Sequence, residues 1–254
     1  MWTACVEKSD WAAVVAQAPR GALSGTVWRI VESQEDIATR DLVDTLPEQA
    51  LLEELLEESK PNLPKEAARL DYLLSTPFRY PPLFWGSRFG TAHEASLYYG
   101  AMHKNTVFAE LAFYRFIFRA GMVSDFPHKT LLTNHTLFSA KYALKPGLDL
   151  RAAPFVEYAD ILRHKTNYGP TQNLGTVLRD AEIQGFYFPS ARCPENGTNI
   201  ALFTPDALTS RRPVEQHQCY CETSPEHVII RQAFDIYIFP RDLFLVAGEL
   251  PTPA

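Results

Sequence analysis

At 254 residues, with 46% hydrophobic and 21% charged residues, the chain has an ordinary globular balance and is long enough to bury a core without disulfide staples. Its net charge of −6 argues against a duplex nucleic-acid binder, because a phosphate backbone rewards a basic face. No apolar run approaches the ~18 residues needed to cross a bilayer, so no membrane partner is expected.

The first residues, MWTACVEKSDW, lack a basic start followed by an apolar core, so no secretory signal is expected and the protein is placed in the cytoplasm. Residues 1–24 read as a helical lead-in ending near Pro19 and Gly21, and GTVWRIV (25–31) as a strand. LPEQALLEELLEES (46–59) sets leucines among glutamates, the pattern of an amphipathic helix closed by Pro61 and Pro64. A second helix is expected from Pro64 to about Leu74, and the prolines and glycines of FRYPPLFWGSRFG (78–90) rule out regular helix there. SLYYGA (96–101) reads as a short strand. TVFAELAFYRFIFRAG, from Thr106, reads as a buried helix with Ala109, Ala112, Phe113, Phe116 and Ile117 on one face.

Residues 129–150 read as strands with a turn at Pro146–Gly147, and 171–184 as a helix capped by Thr171. GFYFPSARCPENGTNIALF (185–203) reads as strand, polar turn and strand, and VIIRQAFDIYIF (228–239) as a further strand region. Helices and strands mix without a βαβ rhythm, which disfavours a wound parallel sheet. No Rossmann fingerprint or phosphate-binding loop is present. The expectation is one α+β domain over 25–240, with a helical insertion at about 33–77, the lead-in at 1–24 and a tail at 241–254. Cys5, Cys193, Cys219 and Cys221 are expected as free thiols. The competing reading of Cys219, Cys221 and His217 as a zinc site lacks a fourth ligand, and no metal is expected.

Three residues stand in settings that packing does not explain. Arg88 lies between Gly86 and Gly90, where backbone can approach a ligand and a planar guanidinium suits phosphate oxygens; the competing reading is a surface loop arginine. Glu110 sits inside a strongly apolar helix, costly for a carboxylate unless it is paired or faces a cleft. A structural ion pair would explain it equally. Ser190 ends an apolar strand without a Gly-x-Ser-x-Gly elbow, which suits a hydrogen-bonding residue or a plain turn serine better than a nucleophile.

Taken in order, VWRI (27–30), GSRF (86–89), YGA (99–101), TVFAE (106–110), Tyr168, Thr171-Gln172, YFPSAR (187–192) and GTNIALF (197–203) resemble the RES family, named for an arginine, a glutamate and a serine. The resemblance implies a fold like the bacterial ADP-ribosyltransferase toxins and an activity that depletes NAD⁺, by phosphorolysis in some members and with ADP-ribosylation of proteins in others. Carried over, Arg88 binds phosphate groups of NAD⁺ or incoming inorganic phosphate. Tyr99 stacks near the nicotinamide, with Tyr98 the alternative if the strand register differs. Glu110 faces the nicotinamide ribose and Ser190 orients the nicotinamide end, while Asn199 and Arg29 are further substrate-binding positions, Arg29 towards phosphate.

The resemblance implies no permanently bound cofactor, with NAD⁺ as substrate and inorganic phosphate as co-substrate. It also implies a helix-turn-helix (Xre-type) antitoxin as partner. The helical segment between Arg29 and Arg88 and the loop from about 121 to 170 exceed the compact family form, and either would serve as a lid, a homo-oligomer surface or an antitoxin contact. A protein ADP-ribosyltransferase and a non-catalytic binding module are the competing functional classes.

Overall fold

The computed structural model describes residues 8–33, 43–122 and 130–252. Helix α1 (Lys8–Gln17) leads into strand β1 (Gly21–Glu32); α2 (Leu46–Ser59) and α3 (Tyr72–Arg79) follow. Strand β2 (Tyr98–Ala101) and helix α4 (Lys104–Ala120) precede the long β3 (Leu131–Asp149). After the short α5 (Ala159–Leu162) and α6 (Gly169–Asp180) come β4 (Gly185–Pro189), β5 (Thr198–Leu202), β6 (Glu215–Thr223), β7 (His227–Gln232) and β8 (Asp235–Pro240).

The eight strands of the described residues form one sheet in the order β1-β2-β5-β4-β3-β6-β7-β8. β1 also pairs with β3, from Gly21↔Gly147 to Glu32↔His135, so the first five strands of that order close into a ring. Every pairing is antiparallel except β3 with β4, which bears out the α+β expectation against a wound parallel sheet. One face of each ring strand contributes to a single apolar cluster, through Val27, Tyr98, Phe138, Tyr142, Tyr187 and Ile200, and Leu73 and Leu74 of α3 close it.

Successive strand residues point to opposite faces, so the neighbours of that inner set build the outer face. There Phe186, Phe188 and Ala201 pack with Trp11 of α1 and with Leu174 and Leu178 of α6. Beside them Trp28, Ala101, Leu137 and Val228 pack with Phe108, Ala112, Phe113 and Phe116 of α4. Phe244, beyond β8, is fully buried against Phe113 and Phe116.

Several local expectations change. Pro64 starts only a single turn (Lys65–Ala67), and the helix proper begins later, where the Asp71 carboxylate accepts the Leu73 N–H at 3.0 Å as its N-cap. No turn forms at Pro146–Gly147: β3 runs through both, and there exchanges its partner β1 for β4. The segment 121–170 is therefore largely strand and short helix, with 123–129 outside the described residues. Thr171 does not cap α6; its hydroxyl donates back to the Tyr168 carbonyl from within the first turn. Most leucines of α2 are exposed, Leu51 and Leu55 more than half so, while Leu52 is half-buried and Gln49 is the helix's one buried residue. β6, not anticipated as a strand, pairs with β3 over nine positions.

Candidate functional site

The site forms on the outer face, where the α4 cluster meets the α6 cluster. The Arg88 loop is fixed by its neighbours. Gly86 has φ +77°, and an added Cβ would overlap the Gly90 carbonyl, so the turn needs glycine there. The Ser87 N–H bonds the Gly90 carbonyl at 2.7 Å, and Gln172 of α6 donates to the Trp85 and Ser87 carbonyls. Phe89 is fully buried, its ring 4.8 Å from both Phe186 and Phe188. The Tyr99 hydroxyl shares a 2.9 Å hydrogen bond with Ser87 Oγ and accepts the Phe89 N–H at 3.1 Å. Burial pushes its pKa up, and these two hydrogen bonds partly offset that.

Arg88 is left half-buried, its guanidinium 4.4 Å over the Tyr168 ring. Nη1 donates to the carbonyls of Leu162 and His164, and Nη2 lies 3.4 Å from the Tyr168 hydroxyl.

Glu110 projects from α4, whose first turn lies close enough to the β4–β5 loop that a Cβ on Gly197 would overlap Thr106. Its Oε1 accepts two bonds, from Ser190 Oγ at 2.6 Å and from Asn199 Nδ2 at 2.8 Å. The Ser190 hydroxyl in turn accepts the N–H groups of Arg192 and Cys193 at 3.2 and 3.0 Å, which exhausts its hydrogen-bonding capacity. Ser190 is thus a fixed donor to the carboxylate, and the carboxylate is held by one oxygen while Oε2 takes none of these bonds.

Arg192 completes the cluster. Only 4% exposed, it lies 3.5 Å over the Phe113 ring and donates to the Lys165 carbonyl at 2.7 Å. Burial lowers its pKa, while Tyr168 and Glu110 act in the opposite direction. Burial and then Arg192 likewise lower that of Lys165. The arrangement is one oriented carboxylate beside concentrated positive charge, suited to an anionic ligand that develops positive charge at a second point.

Arg88, Tyr99, Glu110, Ser190 and Asn199 therefore share one face, Tyr99 as an anchor of the Arg88 loop. Arg29 and Tyr98 stand apart on the inner face. Arg29 lies 5.2 Å over the Tyr98 ring and donates to the Tyr99 carbonyl at 2.7 Å; burial lowers its pKa and raises that of Tyr98. Arg192 was legible only as the arginine two places after Ser190. Cys193, Cys219 and Cys221 are free and buried, burial raising the Cys219 thiol to about 11, while Cys5 lies outside the described residues. Among the described residues no group of three metal-ligating side chains converges.

No curated protein matches the chain in sequence. A chain in the crystal structure of the M. tuberculosis MbcT–MbcA toxin–antitoxin complex is similar with a TM-score of 0.48 at 13% identity, over 85% of this chain and 92% of that one. The RES domain family model matches residues 63–221, which take in Arg88, Tyr99, Glu110, Ser190, Arg192 and Asn199 but not Arg29. That span is more than half of the sequence, and the chain belongs to the RES domain family.

Proposed function

We propose that this protein cleaves the nicotinamide–ribose bond of NAD⁺, with inorganic phosphate, or else water, as acceptor. The observation that carries the reading is the Glu110 carboxylate, clamped through Oε1 by Ser190 and Asn199 beside two buried or half-buried arginines. As the bond breaks, its electron pair leaves with the neutral nicotinamide and positive charge grows on the ribose ring, as in glycoside cleavage. A preoriented carboxylate stabilises that charge, and its free oxygen accepts a ribose hydroxyl. Such an electrostatic contact is typically worth about 2.7–4 kcal/mol. Arg88 binds the diphosphate and brings inorganic phosphate to the anomeric carbon, removing the entropic cost of a second substrate. In phosphorolysis a phosphate oxygen forms the new bond, giving ADP-ribose-1″-phosphate.

The test is an NMR time course of the purified protein with NAD⁺, with and without phosphate. Phosphate-dependent nicotinamide release with the 1″-phosphate product is expected; phosphate-independent release makes water the acceptor. Folded protein releasing no nicotinamide in either condition sinks the reading. A toxin role restrained by a helix-turn-helix (Xre-type) antitoxin belongs to the same proposal: expression alone should arrest growth, and Glu110→Gln should abolish the arrest.

A further inference from the structure

The structure assigns Arg192 as the second cation of a diphosphate subsite, paired with Arg88 across Tyr168. This rests on the NAD⁺ reading and deepens it. The turn that aims Ser190 at Glu110 also fixes where Arg192 starts, because the Arg192 and Cys193 N–H groups both bond Ser190 Oγ. From there the side chain runs over Phe113 until its Nη2 lies 3.5 Å from the Tyr168 hydroxyl. Arg88 Nη2 lies 3.4 Å from the same hydroxyl. Two guanidinium groups are thus each one hydrogen bond from a single phenolic oxygen.

Neither arginine forms an ion pair with a carboxylate among the described residues. Glu110, the carboxylate within electrostatic reach of Arg192, spends Oε1 on Ser190 and Asn199. Arg192 Nη1 is buried with no partner at all. Two adjacent cations, one buried and one half-buried, with a spare donor are costly to hold. The carbonyls of Leu162, His164 and Lys165 offset this only as dipoles. A ligand with two linked anionic groups supplies the missing charge to both guanidiniums at once. Phosphate oxygens form stronger, charge-assisted bonds to a guanidinium than carbonyls do, so the His164 and Lys165 carbonyls are the partners that give way. Arg29, on the other face of the sheet, cannot share such a ligand with Arg88.

The test compares wild type, Arg192→Gln and Arg192→Lys by steady-state kinetics with NAD⁺ and by calorimetry with ADP-ribose and with inorganic pyrophosphate. Expected for Arg192→Gln is a KM raised tenfold or more with kcat within about threefold, and pyrophosphate affinity lowered to the same extent. Arg192→Lys, which keeps the charge but not the planar fork, should fall between, and it decides the matter if Arg192→Gln does not fold. A drop in kcat with KM and pyrophosphate binding unchanged would show that Arg192 only supports Ser190 and the loop after α5, and would overturn the assignment. Should wild type leave NAD⁺ intact, the proposed reaction fails. Pyrophosphate and ADP-ribose binding then still decide the role of Arg192: loss of both in Arg192→Gln upholds it, and unchanged binding, or none to wild type, refutes it.

Discussion

Glu110 takes both of its hydrogen bonds on one oxygen, so removing its charge need not disturb its place. Glu110→Gln is expected to cut nicotinamide release by about 100-fold or more, by analogy with loss of a preorganised electrostatic group. Its melting temperature and its affinity for ADP-ribose should stay near wild type, and retained turnover in the folded variant would remove Glu110 from the chemistry. Ser190→Ala acts differently: it removes one of the two bonds that hold Glu110, leaving the one from Asn199, and also strands the N–H groups of Arg192 and Cys193. A stability loss of about 1–3 kcal/mol in urea denaturation is expected, together with a lower kcat. At this scale the sequence was informative where chemistry conflicts with surroundings. A carboxylate in the middle of TVFAELAFYRF has few explanations, and one of them is a site. Arg29 and Tyr98 were not separable from the rest by composition. Their side of the sheet follows from strand parity and from which partner strand each faces, and that becomes visible only with the register.

The Arg88 loop shows what an element contributes beyond its residues. Helix α6 passes so close to it that a Cβ on Gly175 would overlap the Phe89 carbonyl. Gly175→Ala must therefore push helix and loop apart, at an expected cost of about 1–3 kcal/mol. In a thermal melt with parallel NAD⁺ kinetics, stability should fall and KM should rise, because Arg88 moves with Phe89. Unchanged values for both would show that the loop is not held by the helix. Helix α4 and the β4–β5 hairpin were legible because their apolar periodicity is long and uninterrupted. β6 was missed because its inward residues include Cys219, Cys221 and Thr223 and its outward ones Gln216, Gln218 and Tyr220, an alternation without the usual aliphatics. The pattern in α2 was read correctly as helical, but amphipathicity alone says nothing of which surface, if any, meets the leucines. The same limit applies to Pro146 and Gly147, turn residues by composition that tertiary pairing keeps in a strand.

For the molecule as a whole, pH sensitivity should trace in part to His135 on β3. It is 1% exposed, and burial together with the Arg115 guanidinium holds its imidazole down at about 4, from an ordinary 6.5. Between those values the unfolded chain binds more protons than the folded one. The stability this residue allows is therefore intact above about pH 6.5 and is lost as pH falls towards 4. At about 1.4 kcal/mol per pKa unit, a shift of this size corresponds to a loss of roughly 3–3.5 kcal/mol. Urea titrations across that range should show a shallower pH dependence for His135→Gln than for wild type, and equal slopes would refute the assignment.

The strand ring has a bearing on timing. Its first member, β1, has to wait for β3, and the gap between β2 and β4 is filled only by β5, which ends at Leu202 and brings Asn199 to Glu110. A chain growing from the ribosome therefore cannot assemble the Glu110 clamp until residue 202 has emerged. At about 5–20 residues per second, the 89 positions from Glu110 to Asn199 alone impose a delay on the order of ten seconds. On the proposed chemistry the nascent protein is harmless to the NAD⁺ pool over that interval, and the interval is time in which a cell can make whatever restrains the finished molecule.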